Sequence, residues 1–181
     1  MQSSRSSVRL TRRQFVTAGA IGGAVLAVGC SAHNHGSRDF LSDGQALTLA
    51  AICDRIIPAD DFPSASQAGV ITYIDRQLAR TYRRHRNTYR DGLEQADAIS
   101  RNRFGRNLAA ASAPQQVEIV SAIERQNRKF FDLVRSHTLE GYYGSPRHGG
   151  NRDAASWRML GLAEPPVLGR AQYDLRKGPA S

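Results

Sequence analysis

The chain has few of the residues that build metal and redox centres. Of its 181 residues only two are cysteines, Cys30 and Cys53, which are too few for a zinc ribbon or an iron–sulfur cluster. It contains no Cys-x-x-Cys-His motif for covalent haem attachment. It also contains neither Gly-x-Gly-x-x-Gly nor Gly-x-x-x-x-Gly-Lys, the two standard phosphate-binding motifs. The sequence therefore predicts no catalytic, cofactor-binding or metal-binding residues in this chain.

Lysine is also scarce, because 23 of the 25 basic residues are arginines and the formal net charge is +9. Arginine binds carboxylates and phosphates through two parallel hydrogen bonds, which suits an anionic partner. Codon usage is the alternative explanation for the same composition. The arginines cluster only between residues 80 and 90 and elsewhere alternate with acidic residues. A nucleic-acid-binding protein would show a denser basic stripe with aromatic residues, so we exclude that class of partner.

The first 30 residues carry four arginines and no acidic residue. Arg12 and Arg13 precede Phe15, and the segment from Phe15 to Gly29 is apolar and rich in glycine and alanine. Paired arginines before a short apolar segment are typical of a twin-arginine export signal. The segment is also shorter than the ~20 residues that span a bilayer. We therefore predict that residues 1–30 are such a signal, that the twin-arginine translocase recognises it, and that the chain is periplasmic.

The signal segment ends in Ala27-Val28-Gly29-Cys30, which is similar to a lipobox. Acylation of Cys30 would tether the chain to the membrane, with residues 31–41 as a polar leash. Ordinary cleavage near Ala32, without a lipid, is the alternative. The twin-arginine route carries folded proteins, often with a cofactor already inserted. Because this chain has no cofactor motif, we expect it to supply the export signal for a cofactor-bearing partner.

From residue 42 onward the apolar residues follow a helical period, and no segment alternates long enough to predict a strand. We predict an all-α protein in which residues 42–181 form a single compact bundle of about five helices. A glycine-rich loop at 144–156 and an extended tail from residue 163 complete the domain. The predicted helices run from Ser42 or Asp43 to Pro58, from Ser64 or Ser66 to about Arg86, from about Thr88 to Phe104, from Ser112 onward, and from Lys129 to Tyr143.

The helical period also predicts which side chains face the core. The second helix is expected to bury Val70, Tyr73, Ile74, Gln77 and Thr81. The fourth is expected to bury Val117, Ile119, Val120 and Ile123.

Three residues have side chains that support a chemical role as well as a structural one. His137 and Glu140 share a helix face, but a metal-binding helical bundle needs a second matching set, which is absent. A packing role for His137 is therefore favoured. Trp157, the single tryptophan, fits either core packing or an interface anchor.

The segment from His137 to Leu162 resembles the gluconate 2-dehydrogenase subunit 3 family. The residues that carry the resemblance are Glu140-Gly141-Tyr142, Pro146, Gly149-Gly150-Asn151, Asp153, Trp157 and Gly161. Looser agreement extends to Ile56-Ile57-Pro58-Ala59-Asp60, Ala68-Gly69-Val70 and Tyr73-Ile74-Asp75. The resemblance covers most of residues 11–162.

The resemblance implies a complex of three subunits. A large subunit of the glucose–methanol–choline type carries FAD and oxidises a sugar or sugar acid, and a multihaem cytochrome c subunit passes the electrons on. The small subunit carries no cofactor, is not an enzyme itself, and assists maturation and export of the large one. Two other functions stay open: a stand-alone periplasmic lipoprotein or binding module, and a small metalloenzyme that uses His137 and Glu140.

In such a complex we expect residues 144–162 to dock onto the large subunit. Glycine allows close backbone approach, so Gly149 and Gly150, with Asn151 and Asp153, are expected to shape the loop. The residues expected to contact the partner are Arg147, Arg152, Trp157 and Arg158.

Overall fold

The computed structural model describes residues 38–162, and every regular element in that range is helical. The all-α prediction is confirmed. The predictions for Arg12, Arg13, Phe15 and Cys30, and for the tail from residue 163, lie outside the described residues. The helices are α1 (Asp43–Ile56), α2 (Val70–Ala79), α3 (Arg86–Phe104), α4 (Ala113–Gln126), α5 (Arg128–Tyr143) and α6 (Ala155–Met159), with single 3₁₀ turns at Arg83–His85, Leu108–Ala110, Pro146–His148 and Arg152–Ala154.

Local sequence signals set the ends of the longer helices. The Ser42 hydroxyl accepts a hydrogen bond from the Gln45 amide at 3.3 Å, while the Gln45 side chain accepts one from the Ser42 amide at 3.0 Å. This reciprocal pair is a capping box, and it starts α1 at the predicted place. At the C-terminal end of α3, Gly105 adopts the left-handed conformation (φ 68°) expected of a helix C-cap.

The core lies between α1 and α5. Helix α1 packs on α3 and α4, and helix α5 packs on α2 and α4. Phe130 of α5 lies directly on the backbone of α3 at Gly92, where an added Cβ would be 2.3 Å from the ring. Within residues 38–162 no helix has the length and apolar character needed to cross a bilayer. The largest fully buried side chains include Tyr89, Tyr142, Phe130, Leu49, Ile52, Ile74, Leu78 and Leu93.

The predicted limits of the second helix are wrong. The helix begins at Val70, because residues 65–69 form turns and Gly69 has a left-handed backbone (φ 84°). It ends at Ala79, because Arg80 leaves the helical region (φ −122°, ψ −89°). Thr81 lies beyond that end and is exposed instead of facing the core.

Three other details differ from the predictions. The third helix begins at Arg86, two residues earlier than expected, directly after a 3₁₀ turn. Val117 is 52% exposed, because α4 turns Ile119 and Ile123 inward and leaves Val117 on its outer side. The short helix α6 was not predicted.

The start of the described chain is fastened to the bundle by Asp75 of α2. This carboxylate is 5% exposed and accepts three backbone hydrogen bonds, from Asp39 at 2.7 Å, Phe40 at 3.0 Å and Leu41 at 2.7 Å. The Arg86 guanidinium lies 4.9 Å from the centre of the Phe40 ring. Residues 39–41 are therefore held at the junction of α2 and α3.

Candidate functional site

Residues 144–162, here called the docking loop, lie directly on the backbone of α5 and on the turn before α2. An added Cβ on Gly150 would be 2.1 Å from the carbonyl oxygen of Gly141 in α5. Gly149 has a left-handed backbone (φ 99°), and the Arg152 amide donates to the Ala68 carbonyl at 2.8 Å. The close contact with the α5 backbone requires glycine at position 150, and the left-handed backbone favours glycine at position 149.

Asn151 connects the two ends of the docking loop. Its side chain is fully buried, donates to the Gly144 carbonyl at 2.9 Å and accepts from the Ser156 amide at 2.9 Å. Its backbone is left-handed (φ 44°), as are those of Asp153 (φ 55°) and Ala154 (φ 52°). Asparagine and aspartate adopt this conformation more readily than alanine, so Ala154 is the most strained of the three.

The indole N–H of Trp157 forms a hydrogen bond within the chain. Its indole Nε1 donates to the Tyr143 carbonyl at 2.9 Å, and the side chain is half-buried. Trp157 thereby joins α6 to the end of α5. Substituting it would disturb the docking loop itself as well as any contact with a partner.

The three arginines of the docking loop are all exposed: Arg147, Arg152 and Arg158. None of them forms an ion pair with another residue of the range 38–162. Among the described residues, Arg147 donates only to the Ser145 hydroxyl, at 3.1 Å. Their guanidinium groups are therefore available to carboxylates of another molecule.

Three exposed apolar residues of the docking loop and the end of α5 were not assigned from the sequence. Tyr143 is 41% exposed, Leu160 is 54% and Leu162 is 55%. Tyr143 and Leu162 are both hydrogen-bonded to Trp157, so they lie beside it. The signal that could have identified Leu160 and Leu162 is the return of apolar residues just before the helix-breaking Glu164-Pro165-Pro166.

A second group of polar side chains, here called the tyrosine cluster, lies between α2, α3 and α5. Tyr73 and Tyr82 both donate to the Glu140 carboxylate, Tyr73 at 3.2 Å. Tyr89 is bonded to His137 Nδ1 at 2.8 Å, and the Tyr82 ring stacks on the His137 ring with 4.1 Å between their centres. The structure thus brings His137 and Glu140 into one network, but their partners are tyrosines.

Burial favours the neutral forms of the histidine and of two tyrosines in this network. It lowers the pKa of His137 from 6.5 to about 4, and it raises the pKa of the Tyr82 and Tyr89 hydroxyls. Within residues 38–162 no group of three His, Cys, Asp or Glu side chains is placed to hold a metal ion.

We expect His137 to make the protein less stable in mild acid. The unfolded chain takes up a proton at this residue near pH 6.5, whereas the folded chain does so only near pH 4. Stability should therefore fall as the pH is lowered from about 7 to 4, by up to about 3 kcal/mol, and the titration of this residue should not change it above pH 7. Urea unfolding at a series of pH values measures this.

The variant His137→Gln should have a lower stability at pH 7 but a flatter dependence on pH between 7 and 4. The exposed His148, changed in the same way, is the control and should keep the wild-type slope. Equal slopes for His137→Gln and the wild type would contradict the prediction.

Comparison with known proteins gives one match. Residues 43–163 match the family model described as gluconate 2-dehydrogenase subunit 3. No curated protein and no solved structure matches the chain significantly. The matched range includes all six helices, the tyrosine cluster and the whole docking loop.

Proposed function

The chain belongs to the gluconate 2-dehydrogenase subunit 3 family, and from this membership we propose that it is the non-catalytic small subunit of a periplasmic FAD-dependent dehydrogenase complex. The large subunit would be of the glucose–methanol–choline type, would carry the FAD and would oxidise a sugar or sugar acid. A cytochrome subunit with several c-type haems would receive the electrons. In this proposal the chain assists maturation of the large subunit and its export through the twin-arginine translocase.

The observation that carries the proposal is the extent of the family match. It covers residues 43–163 and so includes the whole helical bundle rather than one short motif. The family's name identifies a subunit of a dehydrogenase, which makes another subunit of that enzyme the expected partner.

The surface of the docking loop supports binding of a protein partner. Protein interfaces typically have an aromatic or aliphatic centre surrounded by polar groups, with tryptophan and arginine over-represented among the energetically important residues. Leu160 and Leu162 supply exposed apolar area, and Arg147 and Arg158 of the same loop supply exposed charge. We propose that this surface contacts the large subunit, with Arg152 at its edge.

Co-purification of the large subunit tests this assignment. We expect the double variant Leu160→Ser/Leu162→Ser to reduce the recovered large subunit at least tenfold, because two exposed leucines at an interface centre are worth a few kcal/mol. The control is Leu47→Ser/Val117→Ser, which removes two apolar side chains of similar exposure (57% and 52%) on α1 and α4. Equal recovery with the two double variants would contradict docking at this surface.

Export is tested separately through the signal segment. Changing Arg12 and Arg13 together to lysine should leave both this chain and the large subunit in the cytoplasm, because one signal would serve both proteins. Normal export of the large subunit would contradict co-export. Recovery of this chain from the periplasm as a monomer, with no large subunit bound, would favour the stand-alone lipoprotein or binding module instead.

A further inference from the structure

The stretch 76–90, here called the basic corner, contains six arginines and no acidic residue. It runs from α2 through the 3₁₀ turn Arg83–His85 into α3. Five of the six arginines are exposed, and Arg86 is half-buried. The six are Arg76, Arg80, Arg83, Arg84, Arg86 and Arg90.

None of these six arginines has a carboxylate partner within residues 38–162. Their hydrogen bonds go to neutral groups instead: Arg83 and Arg86 donate to the Ala79 carbonyl, and Arg84 donates to His85. Some arginines elsewhere do have an acidic partner, as in the pair of Arg101 with Glu94 at 2.7 Å. Within the described residues no ion pair occupies these guanidinium groups, so they can bind anions of another molecule.

The chain enters the bundle at this corner. Asp75, the residue just before it, binds the amides of residues 39–41, and Phe40 lies against Arg86 of the corner. Only residues 31–38 separate Cys30 from this attachment. Eight residues span at most about 30 Å, so a lipid on Cys30 would keep the basic corner close to the bilayer surface.

We propose that the basic corner binds the phosphate headgroups of an anionic phospholipid bilayer. Arginine forms paired hydrogen bonds to phosphate, and clusters of four to eight basic residues beside a membrane anchor attract anionic lipids. The inference draws on the proposed location in the cell envelope, but it does not depend on the dehydrogenase partner.

A lipid surface fits the corner better than a protein surface. Protein interfaces gain most of their binding energy from a few buried aromatic or aliphatic residues, whereas headgroup binding needs basic side chains and no apolar centre. The large exposed apolar residues of the described range all lie outside residues 76–90. They are Leu47, Phe62, Val117, Tyr143, Leu160 and Leu162.

Vesicle binding by the full chain tests the proposal. The lipid is phosphatidylcholine, either pure or with about one third phosphatidylglycerol, at low and at high salt. We compare Arg80→Gln/Arg84→Gln with the control Arg106→Gln/Arg125→Gln, which removes two exposed arginines outside the corner. Arg83 and Arg86 are left unchanged because they bind the end of α2.

The wild type and the control should bind the anionic vesicles more tightly than pure phosphatidylcholine, and the corner variant should bind them about 20-fold more weakly than the control. High salt should remove this difference. Residues 1–37 are the same in all variants, so their own affinity for lipid cancels in the comparison.

Equal binding by the two double variants would overturn the proposal. So would equal binding to the two kinds of vesicle. If the corner variant binds vesicles normally but recovers less large subunit, the corner is a protein-binding surface and the lipid assignment is wrong. If the docking-loop variants do not affect co-purification, the proposed contact with the large subunit is wrong. The vesicle result does not depend on that contact.

Discussion

Replacing Gly150 by alanine should detach the docking loop from α5 while the helical bundle stays folded. The added Cβ would be 2.1 Å from the Gly141 carbonyl oxygen and 2.8 Å from its carbonyl carbon. These are backbone atoms of a helix, so relief requires the loop to move. We expect a loss of about 3 kcal/mol in the stability of the loop.

Trp157 makes this loss measurable. It is the only tryptophan, and it is hydrogen-bonded between α6 and α5, so its fluorescence reports on the docking loop. In Gly150→Ala the emission should shift toward that of solvent-exposed indole, while circular dichroism at the helical minimum stays close to the wild type.

The control for this substitution is Gly44→Ala in α1, where an added Cβ has no atom within 4 Å. Alanine stabilises a helix more than glycine does, so this variant should be more stable than the wild type, by about 0.5–1 kcal/mol. Unchanged fluorescence and unchanged stability in Gly150→Ala would show that the loop does not need the close contact with Gly141.

The second large effect is expected for Asp75→Ala. Three backbone amides lose a charged acceptor in a largely buried position, and hydrogen bonds to charged groups are each worth about 1.5–3 kcal/mol. Some amides will find water, so we expect a loss of about 3–5 kcal/mol in the free energy of unfolding. When these hydrogen bonds are lost, Leu41, which is 4% exposed, should leave the core together with residues 39 and 40.

Urea unfolding and amide hydrogen exchange measure the effect of Asp75→Ala. The amides of residues 39–41 should exchange faster than in the wild type by several orders of magnitude. Asp61→Ala removes an exposed carboxylate from a loop and should change neither quantity. Slow exchange of those amides in Asp75→Ala would contradict the proposed attachment.

Most helix ends could be predicted from the sequence because short-range chemistry sets them. Ser42 with Gln45, the start of α4 at Ser112-Ala113-Pro114, and Gly105 after α3 all act within four residues of the helix end they determine. Where the local signals conflicted, the prediction failed. Ser64 begins a turn as a capping residue would, but the left-handed Gly69 stops a helix from forming until Val70.

The contacts that shape the candidate sites were not predictable in the same way. Asp75 binds amides 34 to 36 residues away, and Tyr82 meets Glu140 over 58 residues. Sequence spacing carries no signal for such pairs, because they depend on how the helices pack. The glycines of the docking loop predicted a loop at this place. Nothing in the sequence predicted the internal hydrogen bond of Trp157.

The buried thiol of Cys53 has a practical consequence for experiments on this protein. It is fully buried, it lies 3.2 Å from the Thr138 hydroxyl, and burial raises its pKa to about 12. The thiolate form that reacts with maleimides is therefore almost absent at neutral pH. In a Cys30→Ser background, a cysteine introduced on the surface can carry a spin label or a dye at one defined site, and Cys53 need not be removed.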